Sequence, residues 1–304
     1  MKRDFLSIAD WSPADLSRII QTARDIKAAP DRFTGALGGK SVAMIFEKQS
    51  LRTHVTFDVG IHQLGGHAVY LTQGDISLGK RESVYDTAKN LERWVQAVVI
   101  RTFGHDTLTE FARSIAIPVI NALDDVEHPC QAVGDLLTMR EKLGPLKGKR
   151  LVYVGDGNNV CHSLLNVGAR LGAEIRVATP AGFEPNADVV ADARRAARET
   201  GGKIKLSHSV EEAVGGAQAI YTDVWASMGQ EQEAAARAEI FASYQVNARL
   251  LEQAAPDAVF LHCLPAHRGL EVTDEVMDSP RSLVFDQAEN RLHVQKAILL
   301  MLLS

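Results

Sequence analysis

The stretch Phe46-Glu-Lys-Gln-Ser50-Leu51-Arg52-Thr53-His54-Val-Thr-Phe57 decides how this chain is read. Ahead of it lies an apolar, β-like run, Ser41-Val-Ala-Met-Ile-Phe46; behind it Val55, Phe57, Val59, Ile61 and Leu64 recur at helical spacing. Ser50 therefore falls where a strand hands over to a helix, and serine is a favoured N-cap. Free backbone N–H groups and the positive end of the helix dipole meet at such a junction, which suits a phosphate. The Ser50 and Thr53 hydroxyls and the planar Arg52 guanidinium add donors matched to phosphate oxygens. Taken alone, S-x-R-T is also the pattern of a capped helix with a surface arginine.

Working outward, strands are predicted at 41–46, 67–71, 97–103 and 117–122, and helices at 13–28, 53–64, 83–95, 107–115 and 129–143. A linker-like stretch, Leu146 to Arg150, leads into a second series with strands at 150–154, 174–179, 203–207, 218–224, 259–264 and 282–285. Helices of that series are predicted at 159–171, 187–200, 209–215, 230–241, 247–254 and 287–303. Such alternation predicts an α/β fold of two tandem domains, each a parallel sheet flanked by helices, joined by crossover helices 129–143 and 287–303. The domains are predicted at 1–145 and 146–285, with 286–304 packing back on the first.

The 304 residues are 46% hydrophobic and 23% charged, as in a soluble globular protein. A net charge of -5 argues against nucleic-acid or anionic-membrane partners, so a phosphate site must be a local basic pocket. Cys130, Cys161 and Cys263 are too few and too scattered for a disulfide framework or a zinc site, which fits a reducing, cytoplasmic setting. The N-terminal MKRDFLSIADW is not a signal peptide, and the apolar run Ala297 to Leu303 is too short to span a bilayer.

In parallel sheets ligands bind at the C-terminal ends of strands, and three anion-compatible groups fall there in the first half. They are the Ser50 loop, Arg101 after Ala97 to Ile100, and Glu127-His128-Pro129-Cys130-Gln131 before a helix. Each has an ordinary alternative: Arg101 as a strand surfacing, His128 as a cap or loop residue. Their convergence on one sheet edge carries the inference. In the second half, Gly155-Asp156-Gly157-Asn158-Asn159-Val160 invites a dinucleotide reading, but Val160 stands where the third glycine belongs and no acidic residue follows the next strand. No nicotinamide cofactor is expected; the paired amides suit the carboxylate of a small substrate. Asp223 to Gln230 and His262-Cys263-Leu264-Pro265 leave two further strand ends. Cys263 is by default a small buried hydrophobe, but beside an aspartate it could touch a reacting amine.

Taken together these residues resemble the aspartate/ornithine carbamoyltransferase family. S-x-R-T, H-P-C-Q, G-D-G-N-N, D-x-x-x-S-M-G, H-C-L-P and F-D-Q-A-E-N-R occur in family order and spacing over nearly the whole chain. S-M-G with H-C-L-P points to the ornithine branch. The resemblance implies transfer of the carbamoyl group of carbamoyl phosphate to the δ-amine of L-ornithine, without metal or cofactor. It implies that Ser50, Leu51 through its backbone, Arg52, Thr53, Ser77, Arg101, His128, Pro129, Cys130, Gln131, Cys263, Leu264 and Arg291 hold carbamoyl phosphate. Asn159, Asp223, Ser227 and Met228 would hold L-ornithine, and Arg52, Arg101, His128, Asp223 and Cys263 would act in catalysis. A homotrimer with shared sites, or an assembly of trimers, is implied as well. The rivals are carbamoyl transfer to another amine and a non-catalytic sensor on the same fold.

The chain departs from the family pattern at three places. Leu51 replaces a frequent threonine, His54 a second arginine, and Ser77 a glutamine that reaches the neighbouring subunit's site. Ser77 is too short for that reach, which leaves Lys80 to substitute for it, and the glycine at 229 suits a loop that bends.

Overall fold

The apolar runs that follow and precede polar loops in the sequence become the inner strands of two parallel sheets. The computed structural model describes residues 2–76, 78–79, 81–227 and 230–303. Ser77, Lys80, Met228 and Gly229 lie outside the described residues.

The chain forms two compact units, one of Met1–Gly134 with Glu289–Ser304 and one of Asp135–Ala288. In the first, β1 (Ser41–Phe46), β2 (His67–Thr72), β3 (Ala97–Arg101) and β4 (Val119–Leu123) pair in parallel in the order β2-β1-β3-β4. All five positions of β3 and of β4 are buried, as a parallel strand covered on both faces requires. The chain runs from β1 out to β2 and returns past β1 to β3, so the order reverses between β1 and β3. A crevice opens at such a switch point. The register Phe46↔Arg101 sets the Ser50 loop and Arg101 on its two sides.

The second unit repeats the plan with β5 (Arg150–Val154), β6 (Glu174–Ala178), β7 (Lys203–Ser207), β8 (Ala219–Thr222) and β9 (Val259–His262) in the order β7-β6-β5-β8-β9. Its switch point lies between β5 and β8. Val154↔Thr222 and Thr222↔His262 bring the ends of β5, β8 and β9 side by side.

Helices of the first unit are α1 (Pro13–Ala28), α2 (Leu51–Gln63), α3 (Gln73–Ile76), α4 (Val84–Leu91) and α5 (His105–Ser114). Those of the second are α7 (Asn159–Arg170), α8 (Ala187–Thr200), α9 (Val210–Val214), α10 (Ala234–Phe241), α11 (Ala248–Glu252) and α12 (Asp274–Met277). The chain passes between units inside α6 (Pro129–Leu143) and α13 (Val284–Leu303). By compactness the changeover falls within α6 after Gly134, ahead of the 146–150 stretch, and Asp135 accepts from Gln287 Nε2 within the second unit at 2.7 Å.

One expected strand is absent: 282–285 does not extend the sheet. Phe260 donates to Arg281 O at 2.8 Å and Leu283 to Phe260 O at 2.9 Å, after which the chain turns into α13 at Val284. The β-favouring Leu283-Val284-Phe285 is overridden by the helical repeat that follows. Strands expected at 97–103, 218–224 and 259–264 stop at Arg101, Thr222 and His262, so the polar residues beyond them sit in loops.

Glycine is required at Gly157, where a Cβ would overlap backbone atoms of Phe183, Glu184 and Pro185. The close approach that a G-x-G pattern signals is therefore chain against chain, and Gly157 N donates to Phe183 O at 2.9 Å.

Candidate active site

In the first unit, Ser50 caps α2: its hydroxyl accepts from Thr53 N at 3.2 Å. The loop before it is pinned to β3, because Glu47 N donates to Arg101 O at 2.9 Å and the Thr102 hydroxyl donates to the Glu47 carboxylate. Arg52 follows in the first helical turn, half-buried, and Leu51 points outward at 74% exposure, leaving only its backbone for a ligand. Thr53 is fully buried, and its hydroxyl accepts from Arg291 Nη2 of α13 at 2.5 Å.

His128 completes the group. The buried carboxylate of Asp124 accepts from Val126 N (2.9 Å) and Glu127 N (2.7 Å), which folds 124–127 into a tight loop that delivers His128 to the start of α6. Glu127 fastens this loop to the N-terminal segment, taking the Ser7 hydroxyl and, at 3.3 Å, Ile8 N. Arg101, His128, Gln131 and Arg291 are all buried. Burial first, then the charges of Arg291, Arg101 and Arg52, holds the His128 pKa well below its ordinary 6.5. His128 is thus a neutral donor amid three guanidinium groups, so an arriving anion meets positive charge without a competing proton. Pro129 and Cys130 are buried behind it. The Cys130 thiol donates to Asn121 O at 3.4 Å, and burial pushes its pKa up to about 12.

That electrostatic arrangement has a stability consequence. The unfolded chain takes up a proton at His128 near pH 6.5 and the folded chain does not, so stability is full above that pH and is lost on acidification below it. One pH unit of acidification costs about 1.4 kcal/mol through this group. Urea unfolding of wild type and His128→Gln at one pH above 6.5 and one below it is expected to show a steeper loss in wild type on acidification; parallel losses would remove His128 as the source.

In the second unit, Asn158 caps α7, its side-chain oxygen accepting from Val160 N (3.0 Å) and Cys161 N (3.1 Å). The same oxygen accepts from Tyr153 OH at 3.2 Å, and Nδ2 donates to Asp223 Oδ2 at 2.9 Å. Asp223 is buried after β8; Oδ1 accepts from the Cys263 thiol (2.9 Å) and from its neighbour Val224 N (2.8 Å). The carboxylate and the thiol therefore face one another across adjacent strand ends. Asn159 opens α7 half-buried, Ser227 N donates to Gln230 Oε1 at 3.0 Å, and Leu264 is held at φ 60°, a left-handed conformation rare for a branched residue.

Asp223, His262 and Cys263 place ligand-type atoms within 4.8 Å of one another. His262 has no lone pair to offer a cation, however. Nδ1 accepts from Leu264 N at 2.9 Å, so the proton is on Nε2, which faces Glu271 at 3.2 Å. His262 instead shapes the loop that presents Cys263 and Leu264.

Sequence reading missed two contributors. Asn158, passed over for Asn159, orients Asp223; its signal was the N-cap position ahead of α7. Lys48 lies half-buried beside Arg101, with its ammonium 4.3 Å from the Phe103 ring centroid. Burial and then the Arg101 charge lower its pKa. His54 stacks on Tyr70 (3.7 Å between centroids, 7° between planes).

A model described as "Aspartate/ornithine carbamoyltransferase, carbamoyl-P binding domain" matches residues 3–141, and one described as "Aspartate/ornithine carbamoyltransferase, Asp/Orn binding domain" matches 147–302. The chain belongs to the aspartate/ornithine carbamoyltransferase family. A curated relative from Pyrococcus horikoshii named ornithine carbamoyltransferase is 50% identical over 306 residues, covering 99% of this chain and 96% of its own. One from Pyrococcus furiosus, named ornithine carbamoyltransferase, anabolic, is 50% identical over 98% of this chain and 95% of its own. The solved structure of ornithine carbamoyltransferase from Pyrococcus furiosus superposes with a TM-score of 0.97 at 49% identity, covering 99% of this chain and 97% of that one.

Proposed function

We propose that this chain is an ornithine carbamoyltransferase of arginine biosynthesis, moving the carbamoyl group of carbamoyl phosphate to the δ-amine of L-ornithine to give L-citrulline and phosphate. The observation that carries the anion half is the burial of Arg101, His128 and Arg291 in the first unit, with Arg291 bonded to Thr53 beside the half-buried Arg52. The naming of relatives at 50% identity supports the choice of amine.

The δ-nitrogen lone pair forms a bond to the carbamoyl carbon, and the bond from that carbon to the oxygen bridging to phosphorus breaks with its electron pair leaving on phosphate. In the net reaction one proton passes from the nitrogen to the released phosphate. Negative charge builds on the carbamoyl oxygen and on the departing phosphate. Ser50, the Leu51 backbone, Arg52, Thr53, Arg101, His128, Gln131 and Arg291 hold carbamoyl phosphate, with Pro129 and Cys130 shaping the wall. Arg52, Arg101 and His128 are placed to stabilise the developing charge. Asn159, Asp223, Ser227 and Met228 hold the α-groups of L-ornithine, and Cys263 with Leu264 lies at the δ-amine. Free ornithine carries a δ-ammonium of pKa roughly 10.4, so the neutral amine must be selected or produced on binding.

The test is citrulline and phosphate release with ornithine, N-acetylornithine, putrescine and aspartate offered in parallel. Turnover only with ornithine is expected. Preference for another amine moves the assignment within the family, and binding of both substrates without phosphate release makes the chain a sensor.

A homotrimer working in the cytoplasm completes the proposal. Leu51, Val55 and Val59 form an exposed apolar stripe at every fourth residue of α2, with 74%, 46% and 37% exposure, which supports a face covered by another copy. Light scattering is expected to give three times the chain mass or a multiple of it; a monomer would overturn the assembly.

A further inference from the structure

Arg237, on α10, belongs to none of the motifs that carry the family pattern, yet it is 9% exposed. Its Nη1 uses both hydrogens: one goes to Asp156 Oδ2 at 2.8 Å and the other to Trp225 O at 2.9 Å. Its Nε donates to Glu233 Oε2 at 3.0 Å, and its guanidinium carbon lies 5.1 Å from the Phe183 ring centroid. Asp156 sits in the loop after β5, two residues before Asn158, which orients Asp223. Trp225 sits in the loop after β8, midway between Asp223 and Ser227.

We propose that Arg237 is a positioning residue for L-ornithine, clamping the β5 loop and the β8 loop in one geometry so that Asn159, Asp223 and Ser227 present a fixed amino-acid cradle. The inference rests on the function proposed above. It touches no substrate atom and acts through the two loops.

Several independent features support the clamp. Burial works to protonate Asp156 and Arg237 opposes it, so the ion pair keeps that carboxylate an acceptor inside the unit. Trp225 is 5% exposed and stacks on Phe241, a neighbour of Arg237 on α10 (5.9 Å between centroids, 22° between planes). The loop is thus held to the helix by an apolar contact beside the polar one. The planar guanidinium reaches Asp156 and Trp225 through Nη1 and Glu233 through Nε at once; a lysine ammonium is a point charge on a flexible stem. Small displacements of substrate-positioning groups are costly, about 100-fold for roughly 1 Å.

Steady-state kinetics of Arg237→Met, Arg237→Lys and Asp156→Asn, with both substrates varied and thermal unfolding followed alongside, test this. Arg237→Met is expected to raise the ornithine KM by about 10-fold or more, the loss of charge-assisted hydrogen bonds at a buried group. Its carbamoyl phosphate KM should stay within about twofold. Arg237→Lys should restore part of the ornithine KM, and Asp156→Asn should raise it severalfold in a protein whose fold is less disturbed. An unmoved ornithine KM in folded Arg237→Met overturns the proposal, as do equal losses for both substrates. Should Arg237→Met fail to fold, an unmoved ornithine KM in Asp156→Asn overturns it. Absence of ornithine turnover in wild type would instead strike the proposed function itself.

Discussion

Arg52→Gly is expected to lower kcat by about 100- to 1000-fold, the usual loss when one preorganised donor to a developing negative charge is removed. Arg52 is half-buried in the first turn of α2 and close enough to His128 for its charge to depress that pKa. On the function proposed above it acts chiefly by direct attraction of the anion, since burial and the charges of Arg291 and Arg101 stand ahead of it in lowering the His128 pKa. The helix itself should survive, since glycine costs at most about 1 kcal/mol in a helix and Ser50 still caps it. Turnover and carbamoyl phosphate binding measured on the same folded sample decide the matter. A variant with wild-type kcat and unchanged carbamoyl phosphate affinity would place Arg52 outside the site.

The second large effect is expected at Asp223→Asn. Its carboxylate accepts from Asn158 Nδ2, the Cys263 thiol and Val224 N, so every lone-pair direction used is an acceptor's. An amide in its place turns two hydrogens toward one of those donors and removes the charge that pairs with an ammonium. Breaking one member of a buried charged pair costs 2–5 kcal/mol, which is about 30-fold or more in ornithine KM. Carbamoyl phosphate KM should rise less than the ornithine KM, because Ser50, Arg52, Arg101 and His128 all lie in the first unit. An equal rise in both constants would mean that Asp223 supports the fold rather than the amino acid.

Much of this was legible before any coordinates. Continuous apolar runs such as Ala97 to Ile100 are what a strand covered on both faces demands, and Ser50 announced the head of α2 through its capping chemistry. Register was not legible, because no local pattern says that Phe46 pairs with Arg101 or Thr222 with His262; those pairings gather the polar strand ends. Strand ends were read too long at Val224 and Leu264 because both are apolar, while the backbone there turns to serve Asp223 and His262. Leu283 to Phe285 misled for a similar reason: β-favouring side chains packed at the head of a helix. Arg237 was invisible, since nothing in Ala234-Ala-Ala-Arg237 separates a buried clamp from a solvated cation.

The three thiols differ in a way that supplies a chemical handle. Cys130 and Cys161 are buried, and burial raises the pKa of both, so neither presents thiolate to reagent. Cys263 alone is half-buried, its thiol donating to Asp223 at 2.9 Å. Iodoacetamide should therefore carboxamidomethylate the native protein once, at Cys263, and L-ornithine with a carbamoyl phosphate analogue should shield that sulfur. The extent of labelling, read by mass spectrometry, becomes an occupancy gauge for the amino-acid half-site that needs no turnover at all.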